Sequence, residues 1–214
     1  MKKVISFICV AVLLLSLFSC NQVKNREYDE GEVLAAAKPL IEASIPLNEI
    51  FWGEGIGYIE DYNTSDGYYY EANFVDLKEI GISTIEDLKK MTREVFSEEY
   101  SNIIFSTTLS SVSDSSGIQG LARYYQKYKD VECTEPDVIM VYSLATVFLT
   151  DDLEYLYDTM DVVGSVGDVV NVKLSVRVTR DGATQIRELT VGLIEEENGW
   201  RINDSTYMVF NPEQ

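Results

Sequence analysis

The stretch Val170-Asn-Val-Lys-Leu-Ser-Val-Arg-Val-Thr179 decides the fold class. Val170, Val172, Leu174, Val176 and Val178 alternate with Asn171, Lys173, Ser175, Arg177 and Thr179. A period of two puts one set of side chains in a core and the other in water, which predicts a half-buried β-strand. Asp181-Gly182 then turns the chain. Ile186, Leu189, Val191 and Leu193 mark the return strand, and the switch of parity between 186 and 189 predicts a β-bulge at Arg187-Glu188. Asn198-Gly199 predicts the next hairpin turn, with Trp200 and Ile202 opening the last long strand. Upstream, Val138 to Leu149 is nearly all apolar and predicts a strand buried on both faces.

The first half reads as helical. Leu34, Ala37, Ile41 and Ile45 recur at steps of three and four, although Pro39 and Pro46 should break or kink that helix. Asp66-Gly67, between Tyr58–Tyr62 and Tyr68-Tyr69-Tyr70-Glu71, predicts a hairpin. Ser83-Thr84-Ile85-Glu86 has the form of a capping box with Ser83 as N-cap. Ile85, Leu88, Met91, Thr92, Val95 and Phe96 then share one helical face, and Ser97 caps a shorter helix with Tyr100, Ile103 and Ile104. Serines dominate the loop from Ser106 to Gly117. Helices first, with one early hairpin, then an antiparallel meander: this is an α+β plan, with N-terminal helices packed on one face of a curved antiparallel sheet.

The N-terminus carries an address. Lys2 and Lys3 precede an apolar run from Val4 to Phe18, and small Ser19 precedes Cys20. That order is the order of a secretory signal, and the run is shorter than the roughly 20 residues of a spanning helix. Leu17-Phe18-Ser19-Cys20 resembles a bacterial lipobox, in which the cysteine is lipidated and becomes the new first residue. The expected organisation is a signal peptide at 1–19, a tether at 20–30 and a single domain at 31–211. The domain would stand outside the cytoplasm, held to the membrane by lipid on Cys20. Two or more acyl chains (palmitate-like, at about 0.8 kcal/mol per buried CH₂) give a stable anchor.

Composition removes whole classes of chemistry. The chain has no histidine. Ser-His-Asp and Cys-His catalysis, the usual general base near neutral pH and the commonest zinc ligand go with it. The 36 acidic and 17 basic residues give −19; the signal holds two of the basic residues and no acid, so the remainder carries −21. Phosphate binding rests on Lys and Arg, so nucleic acid is excluded as a partner, whereas a basic protein or a cation is attracted. Of three cysteines, Cys9 leaves with the signal and Cys20 is the anchor. Cys133 alone remains, between Glu132 and Glu135, so the domain forms no internal disulfide and its thiol is a poor nucleophile.

Three constellations invite a site. Asp61-Tyr-Asn63-Thr-Ser65-Asp66-Gly67 has calcium-loop residue types, but the glycine falls one place late and position twelve is Ala72, so a hairpin loop explains it better. Asp151, Asp152, Glu154, Asp158 and Asp161 form the densest acidic stretch, interleaved with Leu153, Tyr155 and Tyr157. A strand with one solvated face accounts for that pattern, and if the cluster binds anything it is a docking surface for a basic partner. Fourteen tyrosines, with Phe51 and Trp52, supply either a ligand pocket or cross-strand core pairs. Neither a metal site nor a cofactor site is expected.

Leu34 to Tyr100 combines a helix, IFWGEGIGYIEDY, the hairpin YYYEANF, ISTIEDLKK and the tail EVFSEEY. This run resembles the cell-wall DL-endopeptidase inhibitor family of Gram-positive bacteria, and the closing GWRI is similar too. The helices followed by long closing strands also resemble the cone-shaped nuclear-transport-factor/cystatin-like superfold. The resemblance implies a non-enzymatic exported domain that inhibits the papain-like cysteine peptidases cutting peptidoglycan stem peptides. Such a basic cell-wall hydrolase (an autolysin) is the expected partner. The alternative is a module binding a small ligand in an aromatic-lined pocket between sheet and helices.

Overall fold

A computed structural model describes residues 28–61, 67–109, 112–113, 119–120, 122–127, 137–149 and 151–208. The expected signal at 1–19, Cys20, the expected tether up to residue 27, Cys133, residues 62–66 of the calcium-like loop, most of the serine loop and the expected domain end at 211 lie outside them. The chain is α+β. The helices are α1 (Glu30–Trp52), α2 (Phe74–Ile80), α3 (Ile85–Val95) and α4 (Glu98–Thr108). The strands are β1 (Tyr69–Glu71), β2 (Val112–Ser113), β3 (Gln119–Gly120), β4 (Tyr124–Lys127), β5 (Val138–Tyr142), β6 (Asp152–Val166), β7 (Val169–Arg180), β8 (Ala183–Glu196) and β9 (Gly199–Ile202). Two antiparallel sheets carry the structure, β6-β7-β8-β9 and the smaller β1-β5-β4, beside a two-residue ladder of β2 with β3.

α1 lies across the inner face of the four-stranded sheet. It buries Val33, Ala37, Ile41, Ser44, Leu47, Asn48, Ile50 and Phe51, so Ala37 and Ile41 of the expected line are core, while Leu34 is half-buried and Ile45 points to solvent. Pro39 and Pro46 both sit inside the helix without ending it. An interior proline costs about 3 kcal/mol, but both lie on the exposed side, where water takes the carbonyls they free. Each fully buried aliphatic on the other side contributes about 1.5–3 kcal/mol, and there are enough to win. Opposite α1, β7 buries Val170, Val172, Leu174, Val176 and Val178, as its alternation requires. The segment after β9 is stitched to α1 by buried hydroxyls. Thr206 Oγ1 lies 2.6 Å from Ser44 Oγ and accepts from Asn48 Nδ2 at 2.8 Å, and the Tyr155 hydroxyl donates to Thr206 O at 2.7 Å.

Three strand expectations need correction. β8 contains no bulge: the β7–β8 register runs unbroken from Val169↔Ile194 to Arg180↔Ala183. Ile186 simply faces outward opposite Arg177, 63% exposed, so the parity switch marks an apolar residue on the wet face. The irregularity sits in β6, where residues 157–160 stand opposite Leu174 alone and Val163 is a further insertion. The apolar run 138–149 is not one strand. Ile139, Met140 and Val141 are buried, β5 ends at Tyr142, and Leu144, Val147 and Phe148 are exposed in a loop. Phe148 N and Leu149 N donate to Trp52 O at 2.8 and 3.0 Å, which ties that loop to the end of α1. Asp181 and Gly182 both have positive φ, the two-residue turn expected there. The β8–β9 turn comprises Glu197 and Asn198, one residue earlier than expected, because Gly199 already pairs with Glu196.

The helical half differs in detail. The box capping α3 uses Thr84 and Asp87, one residue beyond the Ser83–Glu86 pair: Thr84 Oγ1 accepts from Asp87 N at 3.1 Å and Asp87 Oδ2 from Thr84 N at 2.9 Å. Phe96 is extended at the C-cap and bridges Ile202, and Ser97 does cap α4. The early hairpin reduces to one bridge, Tyr58↔Ala72, because β1 pairs instead with β5.

Candidate functional site

The acidic stretch lies on β6, an edge strand, so its placement is the one expected of a charged edge. β7 neutralises much of it. Arg180 grips the Asp151 carboxylate with Nε and Nη2, and Arg177 Nη1 meets Glu154. Asp161 stands opposite Lys173, whose ammonium also lies 2.9 Å from Glu188. Hydrogen bonding to Glu188, followed by attraction to that carboxylate, raises the Lys173 pKa, and the bond to Asp151 raises that of Arg180. Asp152 and Asp158 are exposed, Asp158 within the bulge. The five acids are thus drawn along one edge but not brought to one point. Among the described residues no cluster of His, Cys, Asp and Glu could hold a metal ion.

Five of the fourteen tyrosines pack against one another between strands. Tyr69 packs on Tyr142 and Tyr125 at centroid distances of 5.2 and 4.8 Å, Tyr58 stacks on Tyr70 at 5.3 Å, and the Tyr69 hydroxyl donates to Ala122 O at 2.6 Å. Trp52 is half-buried, edge-on to Phe148 at 6.5 Å, and Phe51 is core.

Among the described residues, a groove of about 290 Å³ at the C-terminal end of α1 is lined by Phe51, Trp52, Arg123, Tyr142 and Phe148. The chain leaves α1 through Gly53-Glu54-Gly55-Ile56-Gly57, and a buried arginine holds that turn. Arg123, 7% exposed, donates from Nη2 to Gly53 O at 2.6 Å, from Nη1 to Phe51 O at 3.2 Å and from Nε to the Tyr124 hydroxyl at 3.1 Å. A cation here satisfies carbonyls left over at a helix C-terminus and opposes the negative end of its dipole. The Tyr124 hydroxyl, pushed up in pKa chiefly by burial, donates to Ile50 O at 2.7 Å and accepts from Ile56 N at 3.0 Å. Gly55 has φ +83° and a Cβ there would overlap Arg123 and Tyr124, so glycine is required. Asp76 Oδ2 accepts from Gly57 N at 3.1 Å, which fixes α2 beside the turn.

Between α2 and strands β1 and β5 runs a groove of about 710 Å³. Ile59, Ala72, Phe74, Leu77, Ile82, Val138 and Ile139 form its apolar lining, with Glu71, Lys78, Ser83 and Asp137 among the polar groups. Its single aromatic is Phe74, so this groove is aliphatic, whereas Phe51, Trp52, Tyr142 and Phe148 line the smaller one at the end of α1. α2 caps well, with Asn73 Oδ1 accepting from Val75 N and left-handed Gly81 closing it, yet buries none of its residues fully. Neither Arg123 nor the α2 groove stood out in the sequence. Asn73 followed by a short apolar pattern and Gly81 was the available signal for α2. Among the described residues no helix is long and apolar enough to cross a membrane. The chain matches no family model, no curated protein and no solved structure.

Proposed function

We propose that this chain is a lipid-anchored extracytoplasmic binding protein, with the export signal and Cys20 as its mooring and the α2 end as its working face. The observation that carries the reading is the groove's position. The tether joins the start of α1, where Trp200 Nε1 donates to Glu32. The groove follows the other end of α1 along the chain: the helix runs about 34 Å at 1.5 Å per residue over 23 residues, and Gly53–Gly57 leads from it to Tyr58 and to Ile59 in the groove lining. A domain held by its first residues would present that end away from the membrane. Recognition there needs burial and charge, and no proton-transfer residue.

The specific form that the resemblance to DL-endopeptidase inhibitors favours is inhibition of a basic, papain-like wall hydrolase. A strongly acidic inhibitor and a basic enzyme associate fast at low salt and more slowly as salt rises. Hydrolysis of stem-peptide substrate by a purified DL-endopeptidase domain checks this form, with slower turnover expected at saturating protein. Unchanged rates would remove inhibition and leave the binding reading to be judged by capture in cells. A second reading, a small-ligand module, is favoured by the aliphatic lining of the groove. Thermal shift against lipids and wall fragments separates the two, since a large shift with a small molecule supports the module alone.

A further inference from the structure

We infer that the groove between α2 and strands β1 and β5 receives an apolar polypeptide segment bearing Lys or Arg, supplied by a partner protein. This rests on the binding-protein reading above and names its site and partner class. Phe74 and Val75 are 72% and 67% exposed on a helix that buries none of its residues fully. Their exposure and that of Ile59, 52%, puts Phe74 and Ile59 at the open rim of the lining, while Val75, the next residue on α2, lies outside the lining. Helices with an apolar face normally cover it, and uncovered patches rimmed by polar groups mark interaction sites. A small molecule seated on the floor leaves these rim side chains in water. A polypeptide running across the groove covers floor and rim together, which is how extended or helical segments dock.

Charge selects among polypeptides. Glu71 and Asp137 line the groove against one lining cation, Lys78, and Asp76 and Glu79 lie on α2 itself. The whole chain carries −19, so acidic segments and anionic lipid head groups are repelled while a basic one is steered in. Arg123 and Tyr124 hold the Gly53–Gly57 turn, and Gly57 N donates to Asp76 of α2, so the helix flanking the groove is tied down before any partner arrives, which lowers the ordering cost of binding.

The test uses the full chain in cells, with photoreactive benzoylphenylalanine at Phe74 in one strain and at Asp158 of β6 in another. The expected result is a Phe74 crosslink to a foreign protein, mapping to a segment with apolar residues and at least one Lys or Arg. A synthetic copy of that segment should bind the purified chain, weaken with salt, and lose at least about tenfold in affinity to both Phe74→Ser and Asp137→Lys. Crosslinks from Phe74 only to its own chain, to a lipid or small molecule, or to a segment without a cation would overturn the inference, as would unchanged affinity in both variants. If Phe74 is silent while Asp158 captures a protein, the groove assignment falls and the binding reading survives. If both are silent, both fall.

Discussion

The two sheets of this protein differ in strand length and in how far the helices beside them are buried. In the four-stranded sheet, β7 carries twelve residues and buries every second one, with Val170, Val172, Val176 and Val178 wholly out of solvent. Around the three-stranded sheet, strands are three to five residues long and α2 leaves Phe74 and Val75 in water. The long sheet therefore carries stability, and the short one, pinned by hydrogen bonds at the end of α1, is free to present apolar surface. Charge follows the same division. On β6 Glu154 meets Arg177, and just before it Asp151 meets Arg180, while at the α2 groove two acids, Glu71 and Asp137, share the lining with one lysine, Lys78.

The largest effect should come from contrasting one residue in each region. Leu174→Ala empties a fully buried site beneath α1 and should cost about 2–5 kcal/mol, whereas Phe74→Ser should change stability by less than about 0.5 kcal/mol. Urea unfolding of both variants checks this, read as midpoint shifts at constant slope. A comparable loss in the two would erase the distinction between a stabilising sheet and a presenting one.

That contrast also explains what was legible in the chain. β7 could be read residue by residue because strict alternation over ten positions has one physical meaning. The α+β order of elements was readable for the same reason. α1 was half legible: its period was visible, but Pro39 and Pro46 argued for breaks that burial on the opposite face overrode. The parity switch at Ile186 signals a bulge only if Ile186 is core, and it is exposed, while the irregularity in β6 leaves no parity signal among Asp158, Thr159 and Met160. The site was least legible. A groove is made by residues far apart in sequence, here Ile59, Phe74 and Ile139, and no local pattern reports that they meet. Arg123 was invisible because its partners are backbone carbonyls, which any sequence supplies.

The next effect concerns how the small sheet is held. Arg123→Met removes the donors to Phe51 O and Gly53 O, leaving buried carbonyls unsatisfied, at a cost of about 2–3 kcal/mol. Arg123→Lys should recover little, since an ammonium lacks the planar fork that reaches both carbonyls and the Tyr124 hydroxyl. Hydrogen exchange should show added loss of protection at Gly53 and Gly55, whose amides bond to Glu49 O at 3.0 and 3.1 Å, while β7 amides lose no more than global stability requires. Uniform loss throughout would mean that the two regions unfold as one.

A smaller loss should follow where α1 meets the C-terminal segment. Thr206→Val keeps the volume but leaves Asn48 Nδ2 and Ser44 Oγ without the hydroxyl they share. Asn48 is buried, so its orphaned amide costs about 1–2 kcal/mol. Thr206→Ser retains the hydroxyl and should stay near wild type. Chemical denaturation of the pair separates the hydrogen bonds from packing, and a Thr206→Val variant as stable as wild type would show that the shared hydroxyl contributes nothing.

The smallest effect tests the capping of α3, which packs between the two regions through contacts with α1, β4 and β9. Thr84→Ala removes an N-cap acceptor and should cost about 1 kcal/mol. Its partner Asp87 adds a pH dependence. Hydrogen bonds from the Ser83 backbone, then the Thr84 side chain and backbone, hold its carboxyl below the ordinary aspartate range. A carboxyl whose pKa is depressed in the folded protein stabilises it above its unfolded pKa of about 4, and that contribution disappears as pH falls through the folded value. The stability difference between wild type and Asp87→Asn should therefore be constant from about pH 7 down to pH 5 and shrink below about pH 4. A gap that widened on acidification would mean that the neutral acid, not the carboxylate, is the form that holds the Ser83 and Thr84 amides.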